Sequence, residues 1–266
     1  MEFLRSCAVA CCVLAIALSG CETVDSLAAN SETLEDAGDF VLEYQPVEDP
    51  ELRSIREILE SSEFYDGLVA DLNETFALPQ DVLISFDACD EENAYYDAEN
   101  SQITMCYELI RYYADAFAAD EERETDYETE VLYAGFFTFF HELGHALVDQ
   151  YQLPIVGREE DIVDNFAAIL LTESEEEDAV IAAIEQFDLD AAAEAEEEDL
   201  AFWDEHSLSV QRGYNMTCLL YGSDPESYQD WVEADWLPED RAAQCEAEYE
   251  QAISSWEALL EPYRKP

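Results

Sequence analysis

The 266-residue chain holds three histidines, and two of them stand four apart, in His141-Glu142-Leu143-Gly144-His145. On a helix, four residues advance the chain by about 400°, so both imidazoles face one way, one turn apart. That suits two nitrogen ligands of a tetrahedral Zn²⁺ site. Glu142, between them, is placed to act as general base on a water beside the ion. Phe136, Phe137, Phe139 and Phe140 would bury the site and orient its ligands. Two histidines and a glutamate buried without partners would be costly. The bland alternative is a pair of satisfied core histidines. The expected stoichiometry is one zinc per chain.

A third ligand is needed. Downstream, Gly157-Arg158-Glu159-Glu160-Asp161-Ile162-Val163-Asp164-Asn165-Phe166 opens a second helix near Glu159, with Glu160 and Asp164 on one face. An acidic helix start that complements the dipole accounts for residues 159–161 but not for Asp164. The segment resembles the corresponding helix of thermolysin-like gluzincins. There, a glutamate is the third ligand, and an aspartate four residues on holds a ligand histidine through its second ring nitrogen. The resemblance implies those roles for Glu160 and Asp164. Asp161 and Glu159 remain alternatives, because the gap from His145 is shorter than in thermolysin. The extended metzincin pattern is excluded, since Val148 and Tyr151 stand where it needs Gly and His.

Two further features carry the same resemblance. Asn93-Ala94-Tyr95-Tyr96, followed by Ile103-Thr104-Met105, is similar to the edge strand of a thermolysin-type cleft. That strand offers hydrogen bonds to an extended peptide, so Asn93 and Ala94 become candidate substrate-binding residues. A tyrosine-rich hairpin packed on the core is the alternative. The third histidine, His206, stands where gluzincins bring a histidine to the oxyanion. Arg212, Tyr214 and Asn215 are near it, and Tyr214 is a further candidate for substrate contact. A structural or helix-capping role competes for His206. Together with Trp203-Asp204-Glu205-His206-Ser207 and Gln211-Arg212, these motifs resemble a bacterial family of metallopeptidases of unknown substrate. The likeness covers most of residues 60–260. It implies a zincin-like α+β fold in which a small β-sheet with an edge strand lies over the active-site helix.

The elements that must position these groups are partly legible. Residues 40–45 and 82–86 read as strands, and 103–107 as a strand passing into a helix over 108–119. Residues 51–76 read as helical with a break near Gly67, and 87–100 as turn-rich. Residues 131–150 form a long apolar helix ended by Leu153-Pro154 and Gly157. The Glu- and Ala-rich run at 173–199 reads as a solvated helical insert or loop. Residues 202–221 and 238–260 complete a helical C-terminal part. Strands early and helices late indicate an α+β domain over 40–266.

The N-terminus reads as an address. One positive charge precedes an apolar stretch too short to span a bilayer, which ends in Leu18-Ser19-Gly20-Cys21. This resembles the lipobox of bacterial lipoproteins and implies a signal peptide over 1–20 and acylation of Cys21. An acidic tether would then run over 21–39. The implied location is the bacterial envelope, at the outer membrane or cell surface, since Glu22 follows the cysteine where Asp would resemble a retention signal. An ordinary secretory signal is the alternative. Cys89, Cys106, Cys218 and Cys245 remain, an even number in an oxidising compartment. Pairs Cys89–Cys106 and Cys218–Cys245 are preferred because each brackets a local element; four free thiols are the alternative.

Composition bounds the rest. With 66 acidic and 10 basic residues the net charge is −56, so nucleic acid is not a partner. Hydrophobic residues make up 49 % of the chain, enough for a buried core under an acidic surface. Such surfaces suit high salt; plain solubility in a crowded envelope explains them equally well. The leading reading is a monomeric, lipid-anchored zinc peptidase acting on a peptide or protein. The alternatives are a zinc hydrolase of non-peptide amides in the cell wall and a non-catalytic lipoprotein whose zinc knits the fold.

Overall fold

The computed structural model describes residues 34–119, 128–195 and 200–265. Four strands form one mixed sheet: β1 (Phe40–Tyr44), β2 (Val82–Asp87), β3 (Ala94–Asp97) and β4 (Gln102–Cys106), in the order β1-β2-β4-β3. β2 is parallel to both β1 and β4, and β3 closes the edge antiparallel to β4. The central strand β2 buries Val82, Ile84 and Phe86 and also Ser85, which points to its other face. Burial on both faces is the habit of parallel strands.

Between β1 and β2 run α1 (Pro50–Ser62) and α2 (Phe64–Thr75). Asp49 caps α1, accepting from the N–H groups of Glu51 and Leu52, and Pro50 takes the first helical position. The break between the two helices is at Glu63, in the left-handed region at φ 53°, and not at Gly67.

The sheet is followed by α3 (Tyr107–Ala119) and α4 (Glu128–Gln150). α4 is apolar nearly all round, and such a helix must be enclosed. It is long and apolar enough to cross a membrane, yet it is the core helix of the domain. α3, α5 (Glu159–Glu173) and α6 (Glu177–Glu194) pack around it, and β3 and β4 lie along it. α7 (Ser209–Ser223), the short α8 (Gln229–Glu233) and α9 (Glu239–Leu260) complete the helical part. The disulfides join Cys89 to Cys106 and Cys218 to Cys245, the preferred pairing.

Three expectations change. The part of the 173–199 run that is described, to residue 195, is not a solvated insert: α6 buries Ala179, Val180, Ala183, Ile184 and Phe187. These residues recur at helical spacing on one face, and at its end Glu194 accepts from the Ser209 N–H and hydroxyl at the start of α7. Residues 34–39, expected within an acidic tether, belong to the compact unit that begins at Leu34. There Ala37 and Gly38 donate to the Leu78 carbonyl, and Asp36 pairs with Lys265 at 2.8 Å. The helix expected from 202 begins only at Ser209, and the preceding residues form turns. Cys21 and the signal segment lie outside the described residues.

Candidate metal centre and cleft

α4 presents His141 and His145 on one face, with ring centroids 5.0 Å apart. Gly157, at φ +124°, turns the chain back, so that α5 begins beside them. The helices approach closely at Gly144, where a Cβ would stand 2.9 Å from Val163 and 3.0 Å from Phe166. Across this contact Glu160 reaches the histidines. Its Oε2 lies 3.1 Å from His141 Nε2 and 3.3 Å from His145 Nε2. Ligating atoms of His141, His145 and Glu160 lie within 4.8 Å of one another. Asp161 turns away and accepts from Ser207 Oγ at 2.7 Å.

A second layer of carboxylates fixes the rings. Asp164 Oδ1 holds His141 Nδ1 at 2.8 Å, and Glu159 Oε1 holds His145 Nδ1 at 2.8 Å. Both Nε2 atoms are thereby left for the centre. Arg212 clamps Asp164 with two bonds of 2.8 Å, from Nε to Oδ2 and from Nη2 to Oδ1. Its guanidinium lies 4.3 Å over the Phe187 ring of α6.

The electrostatics describe a place built for a cation. Burial alone would depress His141, but Asp164 and Glu160 hold it up at about 9. Burial likewise works against His145, and Glu160 and Glu159 raise it. Glu160 is lowered despite burial, because the histidines bond to it, and Asp164 is lowered despite burial by Arg212 and His141. Two imidazole nitrogens and a carboxylate oxygen converge, with their outer atoms already engaged. This donor set fits a divalent metal ion.

Glu142 differs from its neighbours. It is buried, only 6 % exposed, and accepts no hydrogen bond among the described residues. Burial raises its pKa, with the histidines opposing. It faces a cleft of about 720 Å³ and a smaller cavity of about 150 Å³ behind it. The cleft runs between β3 and the α4–α5 corner, and Asn93, Ala94, His141, His145, Glu160 and His206 all line it. His206 Nε2 is 2.9 Å from Glu160 Oε2, and Asp204 Oδ1 faces its Nδ1 at 3.5 Å.

Not every candidate reaches the cleft as expected. Asn93 lines it, but its Oδ1 accepts from the Ala94 N–H at 3.0 Å. Tyr214 is 44 % exposed on α7 and lines neither the cleft nor the cavity behind it. Two roles went unread in the sequence, the hold of Glu159 on His145 and that of Arg212 on Asp164. Arg212 stood out only as a neighbour of His206 and within the Gln211-Arg212 motif; the scarcity of basic residues, 10 against 66 acidic ones, was the available signal.

No curated protein and no solved structure matches the chain significantly. The model of a family described as "Putative metallopeptidase" (DUF4344) matches residues 44–260, which take in strands β2 to β4, the cleft and the whole metal centre. The chain belongs to that family.

Proposed function

We propose that this protein is a zinc-dependent peptidase anchored by lipid in a bacterial envelope. The observation that carries the reading is Glu142: a buried carboxylate without a hydrogen-bond partner, aimed into a cleft beside three converging ligand groups. His141, His145 and Glu160 would hold the ion. Two nitrogens and one oxygen are a set that zinc accepts in catalytic sites with one position left open. When bound, zinc supplies Lewis acidity, which makes water a nucleophile near neutral pH.

The chain's own residues supply the rest. Glu142 takes the proton of the attacking water on its carboxylate and returns it to the leaving amine nitrogen. Its raised pKa makes it a stronger base than an exposed glutamate. His206, oriented by Asp204, donates from Nε2 to the oxygen that gains charge. β3 holds the substrate in extended form. Cys106 N–H donates to the Asn93 carbonyl, so Asn93, Tyr95 and Asp97 bond to β4. The Ala94 carbonyl and the main-chain groups of Tyr96 therefore face the open edge, where a peptide can add as a strand; the Ala94 N–H is taken by Asn93 Oδ1.

Anchoring rests on Leu18-Ser19-Gly20-Cys21, and the two disulfides are compatible with the oxidising compartment it implies. One observation favours a second, non-catalytic reading. His206 approaches the same Glu160 oxygen as the two ligand histidines, which suits a closed four-ligand site.

Metal analysis and peptide-library digestion of wild type and Glu142→Gln decide between them. Expected are about one zinc per chain in both proteins and cleavage by wild type alone. Full activity in Glu142→Gln would sink the mechanism, and equal inactivity with tightly held zinc would favour the closed site. A Cys21→Ser variant should leave the membrane fraction.

A further inference from the structure

Outside its three histidines, the cleft is lined by carboxylates. These are Glu142, Asp149, Glu159, Glu160 and Glu205, and no lysine or arginine lines it among the described residues. Glu160 belongs to the metal group and Glu159 holds His145. Asp149 has no such duty. It follows His141 and His145 at the same four-residue interval, so it continues their face of α4 along the cleft. Four residues of helix rise about 6 Å, close to the span of two residues of extended peptide.

Asp149 is half-used. Its Oδ2 accepts from Tyr96 Oη at 2.8 Å and from Gln150 Nε2 at 3.2 Å, while Oδ1 has only Gln152 Nε2 at 3.4 Å. No cation pairs with it among the described residues. Tyr96 lines the same wall, and its hydroxyl, bonded to Asp149, places its ring beside that carboxylate, where it offers aromatic surface to a cation. Independently of this charge, the unpartnered and buried Glu142 marks the cleft as a place that receives a ligand.

We infer that the cleft selects cationic peptides and that Asp149 is the specificity residue: a lysine or arginine about two residues from the scissile bond pairs with its Oδ1. The inference rests on the peptidase reading of the cleft. It differs from general attraction by the net charge of −56. That field is screened by salt, whereas a contact pair inside a cleft is screened less.

The test uses the metal-loaded full chain and quenched peptides that differ at one position, carrying Lys, norleucine or Glu. That position is moved along both sides of the scissile bond, in NaCl of about 0.05 M and about 0.5 M. Binding of the same peptides to metal-loaded Glu142→Gln is measured in parallel. At one position Lys should exceed norleucine by about tenfold in kcat/KM, mainly through KM, with Glu poorest, and the ratio should persist at the higher salt. Asp149→Asn should bring the ratio towards one. Asp149→Glu should preserve it, as should Glu246→Gln on α9, outside the cleft.

A lysine preference that survives Asp149→Asn, or that vanishes at the higher salt, assigns the effect to net charge and overturns the inference. Cleavage with no positional preference does the same, and leaves the peptidase reading intact. If no peptide is cleaved, that reading falls. Tighter, Asp149-dependent binding of Lys peptides to Glu142→Gln would still support the cation subsite, and indifferent binding would end it.

Discussion

His141 is where folding, metal uptake and pH meet. Burial works to depress it, yet its carboxylate partners hold it at about 9, against an ordinary 6.5. A folded pKa above the unfolded one means that the metal-free fold binds this proton more tightly than the unfolded chain does. The stabilisation is fully present below pH 6.5 and is lost as pH rises through about 9. For this residue alone the loss is roughly 3 kcal/mol. A ligand histidine must be neutral, so a bound metal replaces the proton and removes most of that slope. Urea unfolding of the chelator-treated protein should therefore show a midpoint that falls between pH 6.5 and 9. The metal-loaded protein should change less. Calorimetry in buffers of different ionisation enthalpy should detect proton release on metal binding near neutral pH. A flat metal-free profile would mean that His141 is not held charged between Asp164 and Glu160.

At the scale of elements, the close approach of α4 and α5 makes the centre, and two glycines separate this effect from helix propensity. Gly144→Ala sets a methyl against Val163 and Phe166, and should cost about 1–3 kcal/mol and weaken metal binding by pushing Glu160 away. Gly67, inside α2, has nothing within 4 Å of its missing Cβ, so Gly67→Ala should gain about 0.5–1 kcal/mol. Denaturant midpoints of both variants, with metal titration of Gly144→Ala, check this. A neutral Gly144→Ala would show that the interface yields without moving Glu160. The same two helices explain what was legible. The apolar run of α4 and the four-residue intervals in His141/His145 and Glu160/Asp164 are local patterns that survive folding. α6 was not legible because its alanines become core only against α4 and α7, a matter of tertiary packing. The path of His206 was hidden for a similar reason. Asp204 Oδ1 takes the His206 N–H at 2.9 Å, and Ser207 bonds to Asp161 and Arg158 of the α5 start. These side-chain bonds hold a turn where the sequence offered a helix.

Over the whole molecule the dominant quantity is charge. Ten bases against 66 acids leave most carboxylates without a basic partner, and among the described residues the pairs that form, Arg56 with Glu60, Arg241 with Glu248 and Lys265 with Asp36 among them, take up few. The centre adds to the imbalance, since its carboxylates face histidines and one arginine. A fold of this length has a radius of gyration of roughly 17 Å. At 0.01 M salt the Debye length is about 30 Å, so nearly all of its surface charges repel one another; at 1 M it is about 3 Å and the repulsion is almost gone. Unfolding lets like charges spread apart, so low salt favours the unfolded chain. The melting temperature should climb as NaCl rises from about 0.01 M to about 1 M, most steeply at the low end, where the screening length shrinks fastest. The metal should be held constant, because a ligand bound only by the fold raises Tm by itself. A matched sucrose series acts by exclusion from the surface and not by screening, and should lack the steep low-concentration rise. A melting temperature flat across the salt range would show that the folded surface repels itself no more than the unfolded chain does, and would break the link between this composition and a high-salt habitat.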